Sequence, residues 1–428
     1  MKIINIKDFG PIDVVTLDLD KSMQVFIGPQ ASGKSTVSKV VYFCRKIRDY
    51  TLAFLMDDNQ FYYNNPSDYY SNYMKFLTKQ FMGCFGTTKH MQPFTIEYHI
   101  NDETVIHINL AEGYVKFHFS KFLNKEINDI VQFAAKAREQ TSVFEKYSTI
   151  DTVYNQLRIR LRTLFEDDAD IIYIPAGRSI LSSMSDQLND VPIAYMDLTM
   201  QEFMKLTRTA KTSFGTGLKG VVERYTKTVT GQIQNDTVEK ATNLIHSILK
   251  ADYVSDIDGE KMYIDTQKWV KLMYSSSGQQ ESLWILMLVF LAILEKNKTF
   301  MVIEEPEAHL FPEAQKSIVE LIALMMNSTK SQILITTHSP YVLTSLNLLL
   351  YSSGVESNKN TESDIVNRQL RIDPQKFNAF KIDVSGKTHK LCTIFDTASG
   401  MIDTEYIDTV SSITNESLEQ LINLDVRK

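Results

Sequence analysis

Gly28, Gly33, Lys34 and Ser35 stand in the spacing G-x-x-x-x-G-K-S within GPQASGKST, directly after the apolar run MQVFI. That order of residue types suits the cradling of phosphates. Glycines let the backbone curl so that successive N–H groups point inward, and the N-terminus of a following helix adds partial positive charge. Pro29, Gln30, Ala31, Ser32 and Thr36 complete the loop and its exit. Lys34 is expected to reach the β- and γ-phosphates of ATP, and Ser35 to offer its hydroxyl to Mg2+. Far downstream, FMVIEEP places Glu304 and Glu305 at the exit of a strand too apolar for the surface. Carboxylates there are costly unless they face a cation or a reacting water. Adjacent strand side chains point to opposite sides, so the pair divides the work. Glu304 is assigned to Mg2+, directly or through water, and Glu305 to polarising the water that attacks the γ-phosphate.

Two further elements extend this chemistry. YSSSGQQESL precedes an apolar helical stretch, which puts Ser276, Ser277 and Gly278, with Gln279 behind them, at a helix N-terminus and makes a second anion site. One chain already fills its phosphate loop with its own ATP, so this second site is expected to cap the γ-phosphate held by another copy. Taken alone, the stretch reads as a serine helix cap; its position some twenty residues before the acidic strand favours the anion site instead. His338, in LITTHSP, ends a second buried strand and is expected to contact the γ-phosphate or the attacking water. His309 follows Glu305 closely and is read as shaping a dimer contact. His99, His107 and His118 lack metal-ligand spacing and are read as structural.

The elements that position these groups are legible as patterns. Alternation over residues 2–27 predicts two or three strands, and a helix should run from Lys34 to about Tyr50. Residues 55–92, rich in Tyr and Asn and broken by Pro66, read as an inserted, partly irregular segment whose aromatics either dock a protein or pack inside. Phe94–Ile100, Thr104–Leu110 and Tyr114–Phe119 read as a meander. Helices are expected over 121–165, a strand over Ile171–Pro175 and helices over most of 196–250. Strands near Met262–Ile264 and Val270–Met273 come next. A helix from Gly278 to Lys296, a strand Phe300–Ile303, a helix Glu313–Asn327 and a strand Gln332–Thr336 follow. A polar loop after Asn347, a strand-turn-strand unit over Phe380–Asp396 and a final helix near Asn415–Leu424 close the chain. Near-continuous apolar strands alternating with helices imply an α/β fold with a mainly parallel sheet covered on both faces.

Composition sets the outer bounds. Of 428 residues, 43% are hydrophobic and 23% charged, with a net charge of −7. That balance suits a globular chain and gives no global pull toward nucleic acid or an anionic membrane. Three scattered cysteines argue against a disulfide framework and a structural zinc, which points to the reducing cytoplasm. No signal peptide is read at the N-terminus, and the run Leu283–Leu294 is too short to span a bilayer, so no membrane partner is expected. Lys205, Arg208, Lys211, Lys219, Arg224 and Lys227 face only Glu223 in their stretch, which reads either as a contact for nucleic acid or an acidic partner, or as a solvated face.

Together these motifs resemble the ABC-type ATPases of the RecF/SMC/OLD clade, and among them the stand-alone AAA family ATPases of bacterial anti-phage systems such as Septu and PARIS. The resemblance sets Gly28–Ser35 against the Walker A loop, with Gln30 where asparagine is commoner. It sets Ser275–Gln279 against the signature motif, with Ser277 and Ser275 in place of its first glycine and its leucine. Glu304 and Glu305 match Walker B and the catalytic glutamate, with glutamate where aspartate is usual at the first position. Ala308–Pro312 match the D-loop, and His338 the switch histidine. The Q-loop glutamine has no counterpart; the strand ends in IPAGRS, and Arg178 is expected to take over a γ-phosphate or metal-water contact. The resemblance implies an ABC-type P-loop fold with an N-terminal ATPase lobe over 1–180 carrying the insert at 51–92. A helical insert over 181–260 and a C-terminal lobe over 261–428 complete it. It implies a homodimer closed by ATP within a larger assembly, hydrolysis that reopens it, and a separate effector, a nuclease or toxin. About 90 residues follow His338 and show no nuclease constellation. A RecF-like clamp on DNA is the alternative role.

Overall fold

The computed structural model describes residues 2–57, 68–139, 146–183, 196–228, 235–355, 365–385 and 388–403, with positions 416, 417, 419 and 420. The elements run β1 (Ile3–Phe9), β2 (Ile12–Asp18), β3 (Met23–Ile27), α1 (Lys34–Met56), α2 (Tyr69–Phe85), β4 (Thr95–His99), β5 (Val105–Ala111) and β6 (Tyr114–Phe119). Next come α3 (Lys121–Glu139), α4 (Lys146–Leu164), β7 (Asp170–Ile174), α5 (Ser179–Ser183), α6 (Leu198–Lys211), α7 (Gly217–Thr228) and α8 (Asn235–Leu249). A small antiparallel sheet follows, of β8 (Asp252–Asp256), β9 (Gly259–Tyr263) and β10 (Trp269–Lys271). Then come α9 (Ser277–Glu295), β11 (Thr299–Glu304), α10 (Pro312–Thr329), β12 (Gln332–Thr337), α11 (Pro340–Gly354), β13 (Phe377–Ser385) and β14 (Thr388–Thr393).

One 11-stranded sheet organises the molecule, in the order β6-β5-β4-β1-β2-β14-β13-β3-β12-β11-β7. Neighbours from β13 through β3, β12 and β11 to β7 all pair in parallel, whereas β6, β5, β4, β1 and β2 pair antiparallel. The fold is therefore α/β, with a parallel core and an antiparallel meander, as expected. The parallel strands bury both faces, so their apolar residues alternate between two cores. Phe300, Val302 and Leu334 join the core with α1, α2, α3 and α4; Met301, Ile303, Ile333 and Ile335 join the core with α9, α10 and α11.

Two expectations change. The segment read as partly irregular contains helix α2, whose Tyr73, Leu77 and Phe81 are fully buried. Spacing of four residues puts these three on one helical face, and tertiary burial overrides the poor local propensity of a Tyr- and Asn-rich stretch. Phe81 packs with Phe9, Phe43, Phe85 and Phe94. Its upstream part, 58–67, lies outside the described residues, as does most of the final helix. The loop placed after Asn347 begins later, because α11 continues to Gly354 with Leu349 and Leu350 buried. Helix α9 is long and apolar enough to cross a membrane by length and composition, but 78% of that window is buried inside the protein. It is a core helix.

Candidate nucleotide site

Strand β3 delivers the phosphate loop and α1 begins at Lys34. The loop demands its glycines. Gly33 has φ of 105°, and a Cβ there would lie 2.5 Å from Ile12. A Cβ on Gly28 would sit 3.1 Å from the carbonyl oxygen of Ile382. Ala31 also has positive φ, at 59°. Pro29, Gln30, Ala31 and Ser35 are exposed, whereas Ser32 and Lys34 are buried. The Lys34 ammonium donates to the carbonyls of Gly28 and Pro29 at 2.8 and 2.9 Å, so its charge is held inside the loop's curve. Burial pulls the Lys34 pKa below its ordinary value, while Glu305, Glu307 and Glu304 pull it back up. We expect Lys34→Ala to weaken ATP binding by at least ~100-fold, the scale of losing two charge-assisted hydrogen bonds; calorimetric titration with MgATP measures it.

Glu304 and Glu305 emerge from β11 beside this loop, as their coulombic pull on Lys34 requires. The Glu304 carboxylate is buried. Its Oε2 accepts the Ala176 N–H at 3.0 Å, while Oε1 has no protein partner. An orphaned buried carboxylate oxygen fits a cation, and with the exposed Ser35 hydroxyl it supplies the oxygen donors that Mg2+ prefers. Glu304 and Ser35 are thus the residues that would hold the metal. Glu305 is half-exposed and its Oε1 lies 3.2 Å from His338 Nε2. The two groups assigned to the attacking water therefore stand side by side.

Glu305 has φ of 44°, a left-handed conformation that a non-glycine residue adopts only when its surroundings enforce it. Its N–H donates to the Thr336 carbonyl at 2.8 Å, and its own carbonyl accepts from Arg178 Nη2 at 2.8 Å. Here the expectation for Arg178 is corrected. The side chain is 0% exposed, and its guanidinium donates to the carbonyls of Pro175, Glu281, Glu304 and Glu305 at 3.1, 2.7, 2.7 and 2.8 Å. Arg178 clamps the backbone that carries both glutamates and has no reach toward a phosphate. Burial pulls its pKa down, with the Glu281 carboxylate as the largest opposing pull.

Glu307 was not singled out in the sequence. Its Oε1 accepts the Thr337 hydroxyl at 2.6 Å and the His338 N–H at 2.8 Å, fixing the backbone that presents the histidine. The motif EEPEAH carries the signal: a third carboxylate two residues after the acidic pair.

At the other motif, Ser276 is the N-cap of α9 and forms a capping box with Gln279. Gln279 also donates through Nε2 to the Leu249 carbonyl at 2.7 Å. Its side chain is spent on the cap, which corrects its assignment as a nucleotide contact. The box takes the N–H groups of Ser276 and Gln279, so an anion at this turn would meet those of the exposed Ser277 and the half-exposed Gly278. Gly278 has no room for a side chain, since a Cβ would come within 2.8 Å of the His309 carbonyl oxygen. Ser276, Gly278 and Gln279 line a cavity of about 460 Å³ with His309 and Phe311.

The basic stretch is partly engaged inside the protein. Lys211 pairs with Glu260 at 2.6 Å, and Arg224 donates to the Ser213 carbonyl.

Comparison with known proteins gives the following. No curated protein matches the chain. Among solved structures, an SMC head bound to the C-terminal winged-helix domain of ScpA is similar with a TM-score of 0.43 at 10% identity, covering 91% of this chain and 97% of that one. The SMC head domain from Thermotoga maritima gives 0.36 at 10% identity, covering 92% and 99%. An SMC head with an extended coiled coil, bound to a ScpA domain derived from Pyrococcus furiosus, gives 0.39 at 9% identity, covering 97% and 100%. Residues 1–343, which span the phosphate loop, the acidic pair and His338, match the AAA ATPase domain family. The chain belongs to that family, and it is an ATPase.

Proposed function

We propose that two copies of the chain close around two ATP molecules, each phosphate loop being capped by the Ser276–Gly278 turn of the other copy, and that hydrolysis reopens the pair. The observation that carries this reading is the surface around the α9 N-terminus. The Ser277 and Gly278 N–H groups, which the capping box does not use, stand there beside two large side chains, Tyr274 and Phe311, exposed to 74% and 73%. Donors and exposed aromatics on one surface suit an anion presented by a protein partner. Lys34 and the first-turn N–H groups of α1 bind the phosphates, and Ser35 and Glu304 would hold Mg2+, which would supply charge neutralisation for the transferring phosphoryl group. Glu305 accepts the proton of the attacking water, with His338 beside it. Nucleotide then acts as a ligand with far higher affinity for the closed pair than for the single chain, and so shifts that equilibrium.

Work leaves the site through residues 181–260. Phe203, Phe214, Val221 and Ile245 from this stretch share one core with α9. The recipient is a separate effector polypeptide in a defence complex, the role implied by the anti-phage ATPases that the motifs resemble. Co-purification from the native host with an enzyme whose activity follows the ATP state supports this; a chain that purifies alone and is stimulated by plain duplex DNA contradicts it.

Ser276→Arg introduces bulk and charge where the partner's γ-phosphate docks. It should cut turnover by ~10²–10³-fold, the scale of losing an anion-stabilising donor, while leaving ATP affinity of the single chain unchanged. Steady-state phosphate release beside calorimetric titration separates the two. Wild-type turnover contradicts the capping role.

A further inference from the structure

The C-terminal hairpin braces the phosphate loop from behind. Strands β13 and β14 enter the sheet between β3 and β2, so they lie against the loop that β3 feeds. Three contacts define the brace. Ile382 of β13 presses its backbone against Gly28, where a Cβ would lie 3.1 Å from its carbonyl oxygen. Ile12 of β2, the strand beside the hairpin, sets its side chain against Gly33, where a Cβ would lie 2.5 Å from its Cδ1. His389 of β14, half-buried, brings Nδ1 to 2.8 Å from the Ser32 carbonyl oxygen, while its own backbone N–H donates to the Asp13 carboxylate on β2.

We infer that His389 is a positioning residue for nucleotide binding, acting through the Ser32–Gly33 peptide. In a trans peptide the carbonyl and the N–H point in opposite directions. Holding the Ser32 carbonyl outward against His389 therefore aims the Gly33 N–H to the other side, into the concave face that receives phosphate. This peptide needs holding. Gly33 lacks a Cβ and sits at φ of 105°, so the peptide before it turns over more easily than it would before any other residue. A loop whose N–H groups are fixed before the ligand arrives loses less entropy on binding. Nδ1 donates to the carbonyl in the neutral Nδ1–H tautomer and in the imidazolium alike, so the brace does not depend on the charge of the ring.

The inference rests on the phosphate-loop reading, and the test separates the two. MgATP affinity is measured by calorimetry on the full-length chain for Lys34→Ala, His389→Ala, His389→Asn and His389→Gln. KM and kcat are measured for the three His389 variants. The Asn amide places an N–H where Nδ1–H stood, whereas the Gln amide mimics Nε2. Expected are ~10-fold weaker binding and a matching rise in KM for Ala and Gln, with kcat within about 2-fold, and near-complete rescue in Asn; that is the scale of one neutral hydrogen bond. Wild-type affinity in Ala, or Asn no better than Ala, overturns the inference. Where Ala fails to fold, Asn against Gln decides alone. Unchanged affinity in Lys34→Ala instead overturns the loop reading itself.

Discussion

Glu305→Gln will bind ATP with wild-type affinity and lose turnover by ~10²–10⁴-fold, the contribution of a positioned general base. The amide keeps the size and the polar contact but cannot take a proton from water. The neighbouring His338 does not substitute for it, because its Nε2 faces Glu305 at 3.2 Å. With hydrolysis blocked, the closed pair has no route to reopen. Size-exclusion with light scattering should therefore show a species of twice the 49.1 kDa chain mass in ATP and the single chain without it. A chain that stays single in ATP contradicts the closure.

Arg178→Ala has the largest expected effect on stability. The variant removes the guanidinium donors from the buried carbonyls of Pro175, Glu281, Glu304 and Glu305, and leaves the Glu281 carboxylate without its partner at 3.6 Å. Breaking a buried pair in this way costs about 3–5 kcal/mol, read as a lower denaturant midpoint. Turnover should fall as well, because the left-handed backbone of Glu305 loses one of the three hydrogen bonds that hold it. Arg178→Lys keeps the charge but reaches fewer of the four carbonyls, so it should recover only part of either loss. Wild-type stability in Arg178→Ala contradicts the clamp.

What the sequence made legible was local. The phosphate loop, the acidic strand end and the buried strands β11 and β12 are each written in consecutive residues, through glycine spacing or unbroken apolar runs. The missed features depend on partners far apart in the chain. The bonds from Arg178 to Glu281 and Glu305 span 103 and 127 residues, and that from His389 to Ser32 spans 357. No local pattern marks an arginine whose acceptors are four backbone carbonyls. Gln279 shows the converse: its place in a serine-rich turn suggests ligand contact, while the capping box takes its Oε1 and the Leu249 carbonyl its Nε2. Helix α2 was hidden because aromatic burial, rather than propensity, decides its conformation.

The central claim is that each catalytic site draws on two chains, and mixing two inactive variants tests it most directly. Glu305→Gln and Ser276→Arg chains are combined without nucleotide, and phosphate release is followed after MgATP is added. A mixed pair holds one intact site: the loop and Glu305 of the Ser276→Arg chain, capped by the unaltered serine turn of the Glu305→Gln chain. Random pairing makes half of all pairs mixed, with one good site in two, so the mixture should recover about a quarter of wild-type turnover, as expected for a self-complementary interface. A mixture no more active than its two components would mean that each chain builds its site alone.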